Sequence, residues 1–334
     1  MNIMKDDLYP LLFEPAYKRV FWGGSKLRTM LNRPLAENER IGESWEICDR
    51  PNISNPVYNG PLEGTTLGTL VEHFGAEFVG KNYKGGAFPL MVKLIDARER
   101  LSLQVHPTDE FCRTRNTYCE PKAEMWYVMQ ADPGARIYAN LNMASSPENF
   151  KNVVHESDVE NHLQQFDAVV GDAYFIPPGR VHFLGAGCFV LEISQNSTTS
   201  FRLTDWNRVD ENGAKRELNL RDAYSCIQFT DRTNPRICGA SNHADHNRQY
   251  PLINRCPAFR CNELLLVNEM LDSTDRDNSC HILTAVNLPF EVGNSKVVTQ
   301  VVPGSSVLIP ACFGDYCIDV VSGKETSIIR TSLL

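Results

Sequence analysis

The run Leu101-Ser102-Leu103-Gln104-Val105-His106-Pro107 alternates strictly between apolar and polar residues. In an extended chain, successive side chains point to opposite faces. Leu101, Leu103 and Val105 therefore share one face, and Ser102, Gln104 and His106 share the other. Similar short runs recur between Gly, Pro and Asp turns: Pro89–Ile95, Arg100–His106, Met125–Met129, Tyr174–Ile176 and Cys188–Ile193. The tail repeats the pattern at Glu263–Val267, Lys296–Val302, Ser306–Ile309 and Ser327–Ile329. The chain is thus expected to be mainly β. A strand that turns Gln104 and His106 toward the interior is unusual unless that interior is a site.

Helical signals are fewer. Leu67, Leu70, Val71 and Phe74 sit at helical spacing within residues 65–80. Ser146-Pro147-Glu148-Asn149 supplies an N-cap, a proline at the first helical position and an early acid. A further helix is expected over Arg216 to Ile227. Phe21-Trp22-Gly23-Gly24 reads as a turn. Residues 229–255, rich in Asn, Asp, Arg and Pro, read as a long loop. Gly171, five residues and Pro177 recur as Gly304, five residues and Pro310, which suggests two related β-barrels, the second without metal.

Composition narrows the function class. A net charge of −8 argues against a nucleic-acid binder, which usually shows a basic stripe. It leaves room for an anionic substrate held by a few local cations. No stretch approaches the roughly 20 apolar residues of a membrane span. The polar start, with Lys5, Asp6 and Asp7, lacks the apolar core of a signal peptide, so a cytoplasmic address is expected. The eleven cysteines include no C-x-x-C pair and are read as free, mostly buried thiols.

Three further segments carry chemistry. Lys122 and Glu124 share a face if Pro121–Tyr127 is extended. Gly171-Asp172-Ala173-Tyr174-Phe175-Ile176-Pro177-Pro178-Gly179-Arg180-Val181-His182 matches the second cupin signature, whose turn delivers His182 toward a barrel interior. Glu192 to Arg202 is the last. Together with Trp22-Gly23-Gly24, Gly42-Glu43-Ser44-Trp45 and Pro89-Leu90-Met91-Val92-Lys93, these motifs run in one order through most of the chain. The set resembles type I phosphomannose isomerase, particularly its short bacterial form. The tail after about residue 235 resembles it only loosely.

The resemblance implies a cupin-type β-barrel (jelly roll) with helical insertions at 1–235, and a smaller, degenerate C-terminal β-domain at 236–334. It implies zinc ligands at Gln104, His106, Glu124 and His182. It places an active-site lysine at Lys122, a glutamate at Glu192 and an arginine at Arg202. The implied reaction converts mannose 6-phosphate to fructose 6-phosphate, with no nucleic-acid or membrane partner. A metal-dependent oxygenase on the same fold would want a histidine-rich set, and the Q-x-H at Gln104 counts against it. A sugar sensor without turnover is the other alternative. His155, His162, His243 and His246 read as surface residues, and Trp22 and Trp45 as packing residues.

Overall fold

The computed structural model describes residues 4–114, 119–154, 159–209, 213–239, 245–253, 256–321 and 324–334. His155 and His243 lie outside the described residues. The chain forms two compact units that are interleaved in sequence. One comprises Tyr17–Ser44 and Lys93–Gly239, the other Met1–Ala16, Trp45–Val92 and Ala240–Leu334. The last crossing, after Gly239, falls four residues past the boundary expected at 235. The N-terminal pieces group with the tail through non-local strand pairing, which leaves no mark in local sequence.

The first unit is a two-sheet sandwich of jelly-roll type. A five-stranded sheet runs in the order Leu163–Asp167, Arg136–Leu141, His182–Leu184, Leu103–Val105 and Phe201–Thr204. The other sheet contains Arg236–Ile237, Ala173–Ile176, Glu124–Ala131, Cys188–Gln195 and Leu90–Ala97, continuing to Ala16–Gly24 and Ile41–Ile47. One apolar core unites them, with Leu103, Val105, Ile137, Ala139 and Phe183 from the first sheet and Trp126, Val128, Tyr174, Ile176 and Val190 from the second. The Phe183 ring is fully buried and stacks on Tyr138 at 4.2 Å. Phe183→Ala is expected to cost about 3–5 kcal/mol, since neighbours stacked this closely cannot collapse into the void. A lower midpoint with an unchanged slope in chemical denaturation checks this.

Helices appear where capping and spacing placed them. Ser146 caps Pro147–Val153: its hydroxyl accepts from Asn149 N, and the Asn149 side chain accepts from Ser146 N. Leu67–Phe74 buries Leu67, Leu70 and Val71, and Leu220–Cys226 is the core of the third helical stretch. Three readings need correction. Phe21 to Gly24 ends a strand instead of forming a turn. A Cβ on Gly23 would stand 2.5 Å from Gly42 N, so this glycine permits close strand approach. The segment 229–255 is not loop throughout, because Arg236–Ile237 and Arg248–Ile253 are strands. Cys112 and Cys119 are joined as a disulfide, seven residues apart, whereas Cys48, Cys188, Cys226, Cys256, Cys261 and Cys280 are buried thiols outside any disulfide.

The second unit is also a pair of antiparallel sheets. Leu11–Leu12 pairs with Ser306–Ile309 at the edge of a six-stranded sheet, and Met270–Ser273, Asp315–Val320, Phe290–Gly293 and Val298–Val301 form a four-stranded one. Its core includes Leu264, Leu283, Phe290, Val307, Tyr316 and Ile328. The sequence repeat has a structural counterpart. Gly171 and Gly304 both adopt positive φ, and each precedes a four-residue strand, Ala173–Ile176 or Ser306–Ile309, that ends at proline.

Candidate metal centre and active site

Strand register assembles the site. Gln104 pairs directly with His182 on one side and with Arg202 on the other, so the three side chains share a face across three neighbouring strands. His106 lies two residues beyond Gln104 on that face. Glu124 begins the strand Glu124–Ala131 in the other sheet, with Lys122 just before it. On the adjoining strand Ser194 pairs with Glu124, and Glu192 pairs with Trp126. All seven residues expected at the site are thereby gathered in one unit.

His106, Glu124 and His182 are at most 1% exposed, and their ligand atoms all lie within 4.8 Å of one another. Among the described residues no other group of His, Cys, Asp or Glu converges in this way. His106 Nδ1 stands 2.9 Å from Thr199 O, and His182 Nδ1 stands 2.8 Å from Arg180 O. A carbonyl only accepts, so each Nδ1 carries a proton, and a ring in its neutral form presents a bare Nε2. Burial pushes the His182 imidazole down to about 4, from an ordinary 6.5, even though Glu124 pulls it up.

Glu124 receives both rings. Its Oε1 is 3.2 Å from His182 Nε2 and its Oε2 is 3.3 Å from His106 Nε2. Burial alone would raise this carboxyl, but the Lys122 ammonium beside it holds it well below the ordinary carboxylate range. Lone pairs on nitrogen and on carboxylate oxygen thus face each other in a dry interior, which is repulsive unless a cation lies among them. His106 Nε2 and both Glu124 oxygens lack a well-angled hydrogen bond, although Lys122 Nζ stands 2.6 Å from Oε2. The Gln104 amide borders the cluster 3.3 Å from His182 Nε2, and a rotation of that amide presents its oxygen instead. The set of nitrogen and oxygen donors therefore fits a divalent metal ion.

A chain of alternating charge leads away from this cluster. Lys122 Nζ is 2.9 Å from Glu192 Oε1, and Lys93 Nζ is 3.6 Å from the same oxygen and 3.4 Å from Glu43 Oε2. Burial disfavours the Lys122 ammonium, but Glu124 and Glu192 outweigh it and raise its pKa. Burial likewise raises Glu192, yet Lys122 and Lys93 bring it below its ordinary value. Lys93 and Glu43 were not expected at the site. Their signals were a single lysine inside the otherwise apolar run Leu90-Met91-Val92-Lys93-Leu94-Ile95 and an acid in a strand-like segment.

Arg202 is half-buried, and its Nε has no hydrogen-bond partner. Burial, with Arg216 close by, lowers its pKa. Asp205 is occupied elsewhere, by Arg208 and by Arg216, whose Nε donates to it at 2.8 Å. The Arg202 guanidinium is therefore not neutralised in a local ion pair with Asp205.

A buried centre of two imidazoles and one carboxylate, set between the sheets of a jelly roll, makes this a cupin-type protein with a candidate metal site. The model of the type I phosphomannose isomerase catalytic domain matches residues 11–171. "Probable mannose-6-phosphate isomerase GmuF" of Bacillus subtilis (strain 168) is 30% identical over 322 residues, 93% of this chain and 96% of that one. Mannose-6-phosphate isomerase ManA of the same organism is 34% identical over 219 residues, 66% of this chain and 68% of ManA. The crystal structure of the mannose 6-phosphate isomerase from Bacillus subtilis superposes with a TM-score of 0.81 at 26% identity, covering 98% of this chain and all of that one. The chain belongs to the type I phosphomannose isomerase family and is an isomerase. No described helix is long and apolar enough to cross a membrane.

Proposed function

We propose that this isomerase interconverts mannose 6-phosphate and fructose 6-phosphate through a cis-enediolate, using zinc held by Gln104, His106, Glu124 and His182. The observation that carries the reading is the buried convergence of two Nε2 atoms on two carboxylate oxygens, which a metal cation among them would stabilise. Zinc suits nitrogen and oxygen donors, and the absence of sulfur keeps the centre net positive. When bound, it supplies Lewis acidity that polarises the sugar carbonyl and favours the enediolate charge.

The chain's own residues do the rest. The proton on C2 of the aldose must leave and a proton must arrive at C1, while a hydroxyl proton moves between O2 and O1. Glu192 is kept ionised by two lysines and accepts the carbon-bound proton, then returns it to the neighbouring carbon. Lys122 is kept protonated by two carboxylates and serves the oxygens as donor. Arg202, beside Gln104 in register, offers its fork to the enediolate or the phosphate. The small-molecule substrate and the −8 charge agree with a protein that has no nucleic-acid partner.

A coupled assay of mannose 6-phosphate turnover, before and after chelation, tests this. Chelation is expected to lower turnover by at least about 100-fold, and added zinc to restore it. Undiminished turnover in protein shown by elemental analysis to be metal-free would end the metal reading. Dioxygen uptake in place of isomerisation would favour the oxygenase alternative.

A further inference from the structure

Arg180 is buried two residues before His182, and all three of its guanidinium nitrogens are hydrogen-bonded. Nε and Nη2 donate to Asp231 Oδ2 at 2.9 and 2.6 Å, Nη1 donates to Phe175 O at 2.7 Å, and Nη2 also reaches Thr233 Oγ1. Asp231 is fixed in turn. Its Oδ1 accepts from Thr233 N at 2.9 Å and from Thr233 Oγ1 at 2.7 Å. Backbone bonds bind the same two segments together: Gln228 N donates to Gly179 O at 2.9 Å, and Phe175 N to Pro235 O at 3.0 Å. Gly179 N donates to His106 O at 2.9 Å, which joins the turn to the other imidazole.

The glycine is required here. Gly179 has a φ of +86°, and a Cβ on it would stand 2.5 Å from Gln228 Cγ and 2.8 Å from Cys226 O. Further along, Arg236 Nε donates to Asp172 Oδ2 at 2.6 Å and Gly239 N to Asp172 Oδ1 at 3.0 Å. Residues 228–239 thus lie as a strap along the whole element from Asp172 to His182.

We propose that this strap positions the metal centre, with Asp231 and Arg180 as positioning residues that act on the metal through His182. The inference rests on the metal reading above. On its Nδ1 side His182 is aimed by its bond to Arg180 O. That carbonyl belongs to a residue whose side chain is pinned by Phe175 O and Asp231, so the carbonyl that orients the ring cannot shift far without disturbing a buried charge pair. Hydrogen-bond partners one step behind a metal ligand tune affinity by about 10–100-fold. Arg236 and Asp172 tie down the distal end of the strap without touching the carbonyl that His182 uses.

The test is zinc affinity of the full-length chain, measured by competition with a chromophoric chelator. It compares the natural protein with Asp231→Asn, Arg180→Lys and the control Arg236→Met, each checked for folding by circular dichroism. Asp231→Asn keeps the size of the side chain, and Arg180→Lys keeps the charge, so a folded variant remains available if one of them unfolds. Both are expected to weaken zinc binding by about 10–100-fold and to alter the visible spectrum of the cobalt-substituted centre, with Arg236→Met matching the natural protein. Natural affinity and cobalt spectrum in the folded Asp231 and Arg180 variants would overturn the inference alone. Equal weakening by Arg236→Met would reduce the strap to general stabilisation and also overturn it. Failure of the natural protein to take up zinc or cobalt would overturn the metal reading and this inference together.

Discussion

Replacing His106 or His182 by alanine removes stoichiometric metal and lowers turnover by at least about 10³-fold, the equivalent of about 4 kcal/mol of transition-state stabilisation. The variants are expected to fold, because the side chains that share the ligands' faces between the sheets include Ile137, Ala139, Leu184, Trp126 and Ile176, none of which is a ligand. Elemental analysis, circular dichroism and the coupled assay separate the outcomes. A folded His182→Ala protein that keeps both its metal and its turnover would remove His182 from the centre. The metal-free natural protein should also respond to acid in a defined direction. Folded His182 titrates near 4, whereas the unfolded side chain titrates near 6.5. As pH falls between those values the unfolded chain takes up the proton first, so stability present above 6.5 is lost toward 4. Glu124, held below its unfolded value of 4.5, works in the same sense: its contribution is present above that value and is lost as pH falls through the folded one. Bound metal should protect against acid until the imidazoles protonate in competition with it.

Lys122→Ala is expected to lower kcat by about 10²–10⁴-fold with metal still bound, the range for loss of a positioned proton-transfer group. It should also destabilise the metal-free protein by about 3–5 kcal/mol, because Glu124 and Glu192 lose the buried cation between them. Zinc should recover part of that stability by giving Glu124 another cationic partner. Lys122→Arg retains the charge but spreads it over a planar fork. It is expected to restore more stability than turnover, since a point donor between two carboxylates is what the site provides. Glu192→Gln supplies the contrast. It leaves the Lys122–Glu124 pair in place, so kcat should fall while stability falls less than in Lys122→Ala. Thermal unfolding with and without zinc, beside kcat, distinguishes these cases. Near-natural kcat in metal-loaded Lys122→Ala would exclude it from proton transfer.

How far the sequence reaches can be judged residue by residue. The alternation at Leu101–His106 was enough to put Gln104 and His106 on one face, because side-chain direction in a strand depends only on neighbours along the chain. The cap at Ser146 and the glycine turn before His182 were readable for the same reason: each is settled within a few residues. Chemistry-bearing types also stood out where they interrupted an apolar strand. Lys93 gave that signal too, although its partners Glu43 and Glu192 could not be read from it.

What the sequence determined by itself was therefore local: mostly strands, a few capped helices, and a set of His, Gln, Glu, Lys and Arg residues suited to a metal and an anionic sugar. The tertiary structure decided the rest. Only strand register sets Arg202, Gln104 and His182 in one row. Only the facing of two sheets brings Glu124 within 3.3 Å of both imidazoles. The pairing of Leu11–Leu12 with Ser306–Ile309 groups the N-terminus with the tail, and the close approach of Cys112 to Cys119 turns two expected free thiols into a bonded pair. The strap 228–239, nearly all of it inside the segment 229–255 that reads locally as polar loop, forms because Asp231 meets Arg180 across 51 residues. Apart from the short-range disulfide, the physical reason is common to these: pairing energy comes from groups distant in sequence whose meeting costs loop-closure entropy, and no pattern within a short window records which distant partner repays it.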